Sequence, residues 1–134
     1  MSQLLVKRDE YTPTGWDIIS TYLTVQIYSN FARTTVKMNI EASNSNSLPP
    51  LFLYGQNLAL EKVVINNVTQ QISDIQKNKD SLIFNLSCAS NGIEIVTSCN
   101  PFENTTLEGL YESGNMICTQ CEPEGFRRIC YYPD

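Results

Sequence analysis

Residues 16–40, with the sequence WDIISTYLTVQIYSNFARTTVKMNI, contain the clearest strand pattern in the chain. Apolar and polar side chains alternate over 22–27 and alternate again over 36–41. A period of two places successive side chains on opposite faces of a strand, so each run predicts a strand with one buried face. The turn-prone pair Ser29-Asn30 lies between the runs. The stretch therefore predicts an antiparallel β-hairpin.

Several shorter segments extend this pattern along the chain. Strand-like composition is found in four of them: 51–54 (LFLY), 58–65 (LALEKVVI), 81–86 (SLIFNL) and 93–98 (IEIVTS). The β-branched end of 58–65, followed by Asn66-Asn67, favours a strand entering a turn over a helix. Asn91-Gly92 is a strong hairpin-turn dipeptide and predicts a turn between the last two segments. Many short strands without a long amphipathic helix predict an all-β fold, either a sandwich or a curved sheet.

Two further segments have weaker signals. Residues 41–50 (EASNSNSLPP) offer little to bury and are expected to form a surface loop. The apolar spacing in 68–75 leaves open a single short helical turn.

Length, composition and charge limit the class of protein. The chain has 134 residues, 42% of them apolar, which predicts a single domain over 1–134 with its own core. Its net charge of −5 repels polyanions, so nucleic acid is not expected as a partner. No apolar run reaches the length of a membrane span, and residues 1–10 become charged before a signal-type core develops. We therefore expect a cytoplasmic protein with no membrane partner.

Histidine is absent and cysteine occurs five times, an odd number that leaves at least one thiol unpaired. The CTQC motif at 118–121 allows two chemical interpretations. A structural zinc site has four ligands, so it would need to recruit other cysteines. The sequence has no second C-x-x-C to supply them, which disfavours a zinc site. A redox pair needs the start of a helix, whereas the flanks of this motif are strand-like. We expect the two cysteines of this motif to be small buried apolar residues instead. The spacing of the cysteines does not determine whether any of them form disulfides.

Three N-x-S/T sequons begin at Asn67, Asn85 and Asn104 and are typical of secreted glycoproteins. Because a chain rich in Asn, Ser and Thr produces such triplets by chance, and no signal peptide is evident, we do not expect glycosylation.

Glu122 and Glu124 lie two residues apart around Pro123. In an extended segment they would face the same side, where paired carboxylates suit acid–base chemistry or binding of a cation. The alternative is two solvated acids that pair with Arg127 and Arg128 or are screened by them.

The segment 104–134, NTTLEGLYESGNMICTQCEPEGFRRICYYPD, closely resembles a segment of the aminopeptidase N family, the zinc-dependent gluzincin aminopeptidases. A looser resemblance covers 51–66 and the hairpin after Trp16. The resemblance to this family implies a saddle-like all-β N-terminal domain that forms one wall of the substrate cavity. It also implies that Glu122 holds the free α-amine of a peptide and that Gln120 lines the pocket for the first side chain. Glu124 and the two following arginines would then be scaffold without a direct role.

The departures from the family pattern matter equally. The H-E-x-x-H motif, its downstream glutamate ligand and the G-A-M-E-N strand do not occur in this sequence. The resemblance therefore implies no catalytic residue and no metal ligand in this chain. Zinc would belong to a catalytic domain in the rest of the same polypeptide, and this chain would be an inactive fragment truncated at its C-terminal end. A free-standing non-catalytic β-sandwich binding module is the alternative function, and a glycosylated adhesin is a third.

Overall fold

The computed structural model describes residues 7–122 and 124–134. Almost all regular structure there is β-strand, which confirms the all-β prediction. Ten strands follow in order: β1 Trp16–Ile27, β2 Ala32–Ala42, β3 Leu51–Tyr54, β4 Ala59–Ile65, β5 Val68–Thr69, β6 Gln76–Lys77, β7 Ser81–Phe84, β8 Ser90–Cys99, β9 Gly109–Ser113 and β10 Met116–Gln120. Three 3₁₀ turns complete the elements: Arg8–Glu10, Ile72–Asp74 and Phe126–Arg128.

Two antiparallel sheets share the main core. The larger has the order β1-β2-β8-β4-β5, the smaller has the order β3-β7-β6, and β9 and β10 form a separate hairpin. Buried side chains of both sheets form one apolar cluster, in which Val36 and Ile95 come from the larger sheet and Leu53 and Leu82 from the smaller. Burial of such side chains is the dominant favourable contribution to folding. The molecule is thus a two-sheet sandwich.

The predicted hairpin over 16–40 is confirmed as β1 and β2. Its register pairs Trp16 with Ala42 and Ile27 with Ala32, and shifts once between Ile18 and Ser20. Alternate β2 residues from Ala32 to Ile40 are buried, as the period of two requires. The strands predicted at 51–54 and 58–65 are also confirmed, as β3 and β4.

The hairpin turn predicted at Asn91-Gly92 is wrong. Both residues lie inside β8, which pairs with β2 and β4, whereas β7 belongs to the smaller sheet. The two-residue turn lies instead at Asn66-Asn67, where φ is +49° and +66°, between β4 and β5. Asn66 donates its side-chain amide to Oδ1 of Asn91 at 2.8 Å and accepts from the Gly92 N–H at 2.9 Å. These long-range hydrogen bonds outweigh the local turn preference of Asn-Gly.

The loop predicted after β2 is present, beginning after Ala42 and ending at β3. It is held to the sandwich by the buried Trp16, whose Nε1 donates to the carbonyl oxygen of Pro49 at 3.0 Å. The helical turn left open in 68–75 is the 3₁₀ turn Ile72–Asp74.

Candidate functional site

The segment that follows β10 crosses from the hairpin to the smaller sheet. After Gln120, the last residue of β10, the chain turns and enters the 3₁₀ turn Phe126–Arg128. It then bridges to β3, because the backbone groups of Tyr132 and Tyr54 exchange hydrogen bonds of 2.8 and 3.1 Å. The two predicted site residues, Gln120 and Glu122, therefore lie on a short connection anchored at both ends.

The structure brings the predicted site residues together. The side-chain amide of Gln120 donates a 3.3 Å hydrogen bond to Oε1 of Glu122, and both residues are exposed. Because a carboxylate has two oxygens and about four acceptor positions, this contact leaves most of its capacity free for a ligand.

A close backbone approach fixes the turn after Glu122. Gly125 donates its N–H to the Glu122 carbonyl oxygen at 2.7 Å. A Cβ at Gly125 would lie 3.0 Å from both the Cα of Cys121 and the carbonyl oxygen of Glu122. A side chain at Gly125 would require these backbone atoms to shift by a few tenths of an ångström, a close packing that the sequence analysis missed. Its sequence signal is the glycine that follows the two glutamates.

The extended geometry considered for Glu122 and Glu124 is not found. Glu124 has a φ of +72°, in the left-handed region, so the backbone at Glu124 is not extended. Pro123, which the two acids flank, lies outside the described residues. The acids nevertheless border one shallow groove of about 280 Å³, together with six other residues: Cys121, Phe126, Arg127, Tyr132, Pro133 and Asp134.

The two arginines pair with other acids. Arg127 forms an ion pair with Asp134 and lies over the Tyr54 ring, 5.1 Å from its centre. Arg128 Nε lies 3.2 Å from a carboxylate oxygen of Glu108. The alternative drawn from sequence, two solvated acids, agrees with the exposure of Glu122 and Glu124, but the pairing of these arginines with them is wrong. In the part of the chain that the structure describes, neither glutamate forms a salt bridge.

The cysteines differ in burial, and all five are free thiols. Cys130 is buried, which raises the pKa of its thiol to about 12, with a smaller contribution from Cys121. Cys88 and Cys121 are exposed, and Cys99 and Cys118 are half-buried. The prediction of buried apolar cysteines for the CTQC motif is thus wrong for Cys121, which is exposed, and holds only in part for the half-buried Cys118. Within 7–122 and 124–134, no three Cys, Asp or Glu side chains gather as metal ligands.

The three sequons differ in the state of their asparagine. Asn104 donates its side-chain amide to the carbonyl oxygens of Glu108 and Leu110, at 2.7 and 2.9 Å, which occupies both amide hydrogens. Asn67 and Asn85 are exposed. In the described ranges, no helix is long and apolar enough to cross a membrane.

Comparisons with known proteins agree with this architecture. Aminopeptidase N of Haemophilus influenzae is 36% identical over 130 residues, which cover 95% of this chain and 15% of that protein. A solved aminopeptidase A of Legionella pneumophila, in complex with aspartic acid, has a TM-score of 0.81 at 27% identity. It is matched over 96% of this chain and 15% of its own.

A more distant solved structure has the same fold. It is an M1 zinc metallopeptidase of Deinococcus radiodurans bound to a Tyr-Ser-Ala substrate, with a TM-score of 0.69 at 12% identity over 88% of this chain and 29% of its own. No protein-family model matches the chain. The chain spans about 15% of the length of the first two relatives. It belongs to the aminopeptidase N family, in which it matches the N-terminal β domain.

Proposed function

We propose that this chain is the substrate-anchoring N-terminal domain of a zinc metallo-aminopeptidase. In this proposal Glu122 accepts the free α-ammonium group of a peptide, and Gln120 lines the pocket for the first side chain. The aminopeptidase names of the relatives and the resemblance of 104–134 support it.

One observation carries the proposal. The Glu122 carboxylate is oriented by Gln120 at 3.3 Å, while the nearby Arg127 and Arg128 are engaged by other acids. An ammonium group carries three donors, and its charge-assisted hydrogen bonds to a carboxylate are about twice as strong as neutral ones. An exposed anion that is oriented but unpaired with a cation is suited to binding the start of a peptide.

The catalytic step is assigned to another part of the polypeptide. The sequence has no histidine and no H-E-x-x-H motif, and its described carboxylates and thiols do not form a metal-binding group. Its residues therefore do not fit a catalytic zinc, and we expect the isolated chain to hydrolyse no aminoacyl bond. We further propose that its partners are a peptide N-terminus and the rest of the same polypeptide, in the cytoplasm, with no nucleic acid or membrane.

Binding to the isolated chain tests the anchor directly. Backbone amide chemical shifts would be followed by NMR during titration with an amino-acid amide and, separately, with its N-acetylated form. We expect shifts in 120–125 with the free amine only, and loss of those shifts in Glu122→Gln. Glu112→Gln, at an exposed acid on β9, is the matched control and should bind like the wild type. Equal shifts with the acetylated compound would contradict recognition of the amine.

A second test concerns the longer protein. The source gene would be read past codon 134 for an open frame that encodes H-E-x-x-H and a downstream glutamate. In that protein, Glu122→Gln should lower kcat/KM by about 30- to 150-fold, equivalent to roughly 2–3 kcal/mol, with zinc content unchanged. Wild-type kinetics would exclude the anchoring role, and a stop codon after Asp134 would favour the non-catalytic binding module.

A further inference from the structure

Asn91-Gly92 is the one Asn-Gly pair in the sequence, and it lies near the start of β8. Asparagine followed by glycine is especially prone to deamidation, because a glycine nitrogen without a neighbouring side chain reaches the asparagine Cγ easily. In an unfolded chain, this pair is therefore where we expect the covalent structure to change first. The folded chain holds the same atoms apart.

The reaction has two steps, and water is its co-reactant. The Gly92 backbone nitrogen loses its proton and bonds to Cγ of Asn91, while the Cγ–Nδ2 bond breaks and ammonia leaves. Water then adds to one carbonyl carbon of the resulting five-membered imide and breaks the C–N bond there. One opening gives aspartate. The other gives isoaspartate, in which the main chain runs through the side-chain carboxyl carbon.

Asn66 holds both reacting groups. Its Oδ1 accepts the Gly92 N–H at 2.9 Å, and its own backbone N–H donates to the Gly92 carbonyl oxygen at 2.8 Å. Its Nδ2 donates to Oδ1 of Asn91 at 2.8 Å. The nitrogen that must attack is thus engaged as a donor, and the amide that must receive it is held by the same residue.

The nitrogen that would leave as ammonia is also held. Nδ2 of Asn91 donates to the Cys88 carbonyl oxygen at 2.7 Å, and Asn91 is only 4% exposed. Its backbone is extended in β8, opposite Ile40 of β2. Ring closure moves the Asn91 side chain toward the following nitrogen, which breaks its hydrogen bonds to Cys88 and Asn66. The reaction therefore requires this end of β8 to open first.

We propose that Asn91 is a deamidation site that the native fold keeps closed through Asn66, and that it reacts only in chains in which the start of β8 has opened. Strand ends open at a lower free energy than the core of a sheet, so this end needs a restraint of its own. Asn66 supplies it from a turn with a φ of +49°, where its backbone N–H and its side chain both reach Gly92.

The products do not regain the native contacts. Both side-chain oxygens of an aspartate are acceptors, so one of them would face the Cys88 carbonyl oxygen where the Asn91 amide now donates. The change would also bury a charge. Isoaspartate would lengthen the main chain inside β8, between its partners β2 and β4. Deamidation therefore converts a transient opening into a permanent loss of stability.

Peptide mapping by mass spectrometry tests the closed state. The chain would be incubated at mildly alkaline pH in native buffer and in concentrated urea, and conversion of amide to acid followed at Asn91 and at Asn46. Asn46 is exposed and is followed by serine. In urea Asn91 should react faster than Asn46. In native buffer the order should reverse, with Asn91 slowed at least about a hundredfold. Equal rates at Asn91 in the two solutions would overturn the proposal.

Asn66→Gly tests the restraint, because glycine keeps the positive φ and removes both side-chain hydrogen bonds. In native buffer it should raise the rate at Asn91 about tenfold more than it raises the unfolding equilibrium constant, with the rate in urea unchanged. Asn57→Gly is the matched control, at an exposed asparagine with a φ of +56°, and should leave both rates unchanged. A rise no larger than that of the unfolding constant would overturn the role of Asn66.

Asn91→Asp introduces the first product through the gene and tests its effect on stability. Urea denaturation should show an unfolding equilibrium constant raised by about tenfold or more, because the contact with Cys88 becomes repulsive. Asn85→Asp, at an exposed position, is the control and should unfold like the wild type. Wild-type stability of Asn91→Asp would overturn the permanence of the change.

Discussion

Thr34 on β2 and Thr97 on β8 are directly paired across the larger sheet, and neither hydroxyl oxygen has a hydrogen-bond partner. Both residues are 1% exposed. A buried hydroxyl without a partner loses its hydration without compensation. The larger sheet therefore contains a polar pair that lowers its stability.

Valine has nearly the shape of threonine without the hydroxyl, and it removes this cost. Thr34→Val and Thr97→Val are each expected to leave the free energy of unfolding unchanged or to raise it by up to about 1 kcal/mol. Urea denaturation measures the change. The control is Thr35→Val, on the half-buried opposite face of β2, where the effect should be smaller. A loss above about 1 kcal/mol in either core variant would contradict the account, because it would require a favourable hydroxyl contact.

Gly125→Ala tests the close approach that shapes the turn after Glu122. The new Cβ would lie 3.0 Å from backbone atoms of Cys121 and Glu122, so we expect a loss of about 1–3 kcal/mol. Amine-dependent NMR shifts at Glu122 should decrease as well. Gly92→Ala is the control, because the atom nearest to its Cβ would be Oδ1 of Asn39 at 3.6 Å. Equal stability of the two variants would show that the turn does not need glycine.

The free energy of unfolding should fall at alkaline pH because the buried thiol of Cys130 resists ionisation. The pKa of its buried thiol is about 12, above the ordinary value of 9.0, so the folded state holds the proton more tightly. The contribution is complete below pH 9 and is lost as pH rises through 12, by roughly 4 kcal/mol. Burial, and to a smaller extent Asp80, also raise the pKa of Tyr131, which adds a loss of the same sign.

Urea midpoints measured under reducing conditions between pH 8 and 11 report this dependence. Cys130→Ala should flatten the decline, whereas Cys88→Ala, at an exposed thiol, should leave it unchanged. Parallel profiles for the wild type and Cys130→Ala would assign the alkaline loss to other groups.

The turn at Asn66-Asn67 predicts a side-chain preference. Both residues have positive φ, which asparagine and glycine adopt readily and β-branched residues do not. Asn67→Val should therefore lower the free energy of unfolding by about 1–2 kcal/mol, whereas Asn67→Gly should not lower it. Thermal denaturation checks the difference. Asn85→Val, at an exposed position without positive φ, should be nearly neutral.

The fold was predictable where the signal was local. β1 and β2 alternate strictly and are joined by a short turn, so their pairing follows from neighbouring residues. The pairing of β7 with β3 was not predictable, because these strands are distant in sequence and meet through the shared core, whereas β6 is joined to β7 by a short turn. Asn91-Gly92 has the composition of a turn, yet hydrogen bonds to Asn66, distant in sequence, hold it inside β8.

At the candidate site, too, the features carried by one continuous segment were predictable and the contacts between distant residues were not. Gln120 and Glu122 followed from the resemblance of one continuous segment, and their hydrogen bond fits that expectation. The partners of Arg127 and Arg128 did not follow, since Asp134 and Glu108 are brought near by the path of the chain. The direction of a long charged side chain depends on such three-dimensional surroundings.

The contacts of Tyr132 link ligand binding to unfolding of the whole molecule. Its backbone is bonded to Tyr54 of the smaller sheet, and its hydroxyl lies 2.8 Å from the Thr21 hydroxyl of the larger sheet. The connection that carries Glu122 is therefore tied to both sheets at its C-terminal end. A ligand held by Glu122 binds only the folded state, and by mass action its occupancy and the melting temperature rise together. Thermal shift against ligand concentration then serves as a binding isotherm.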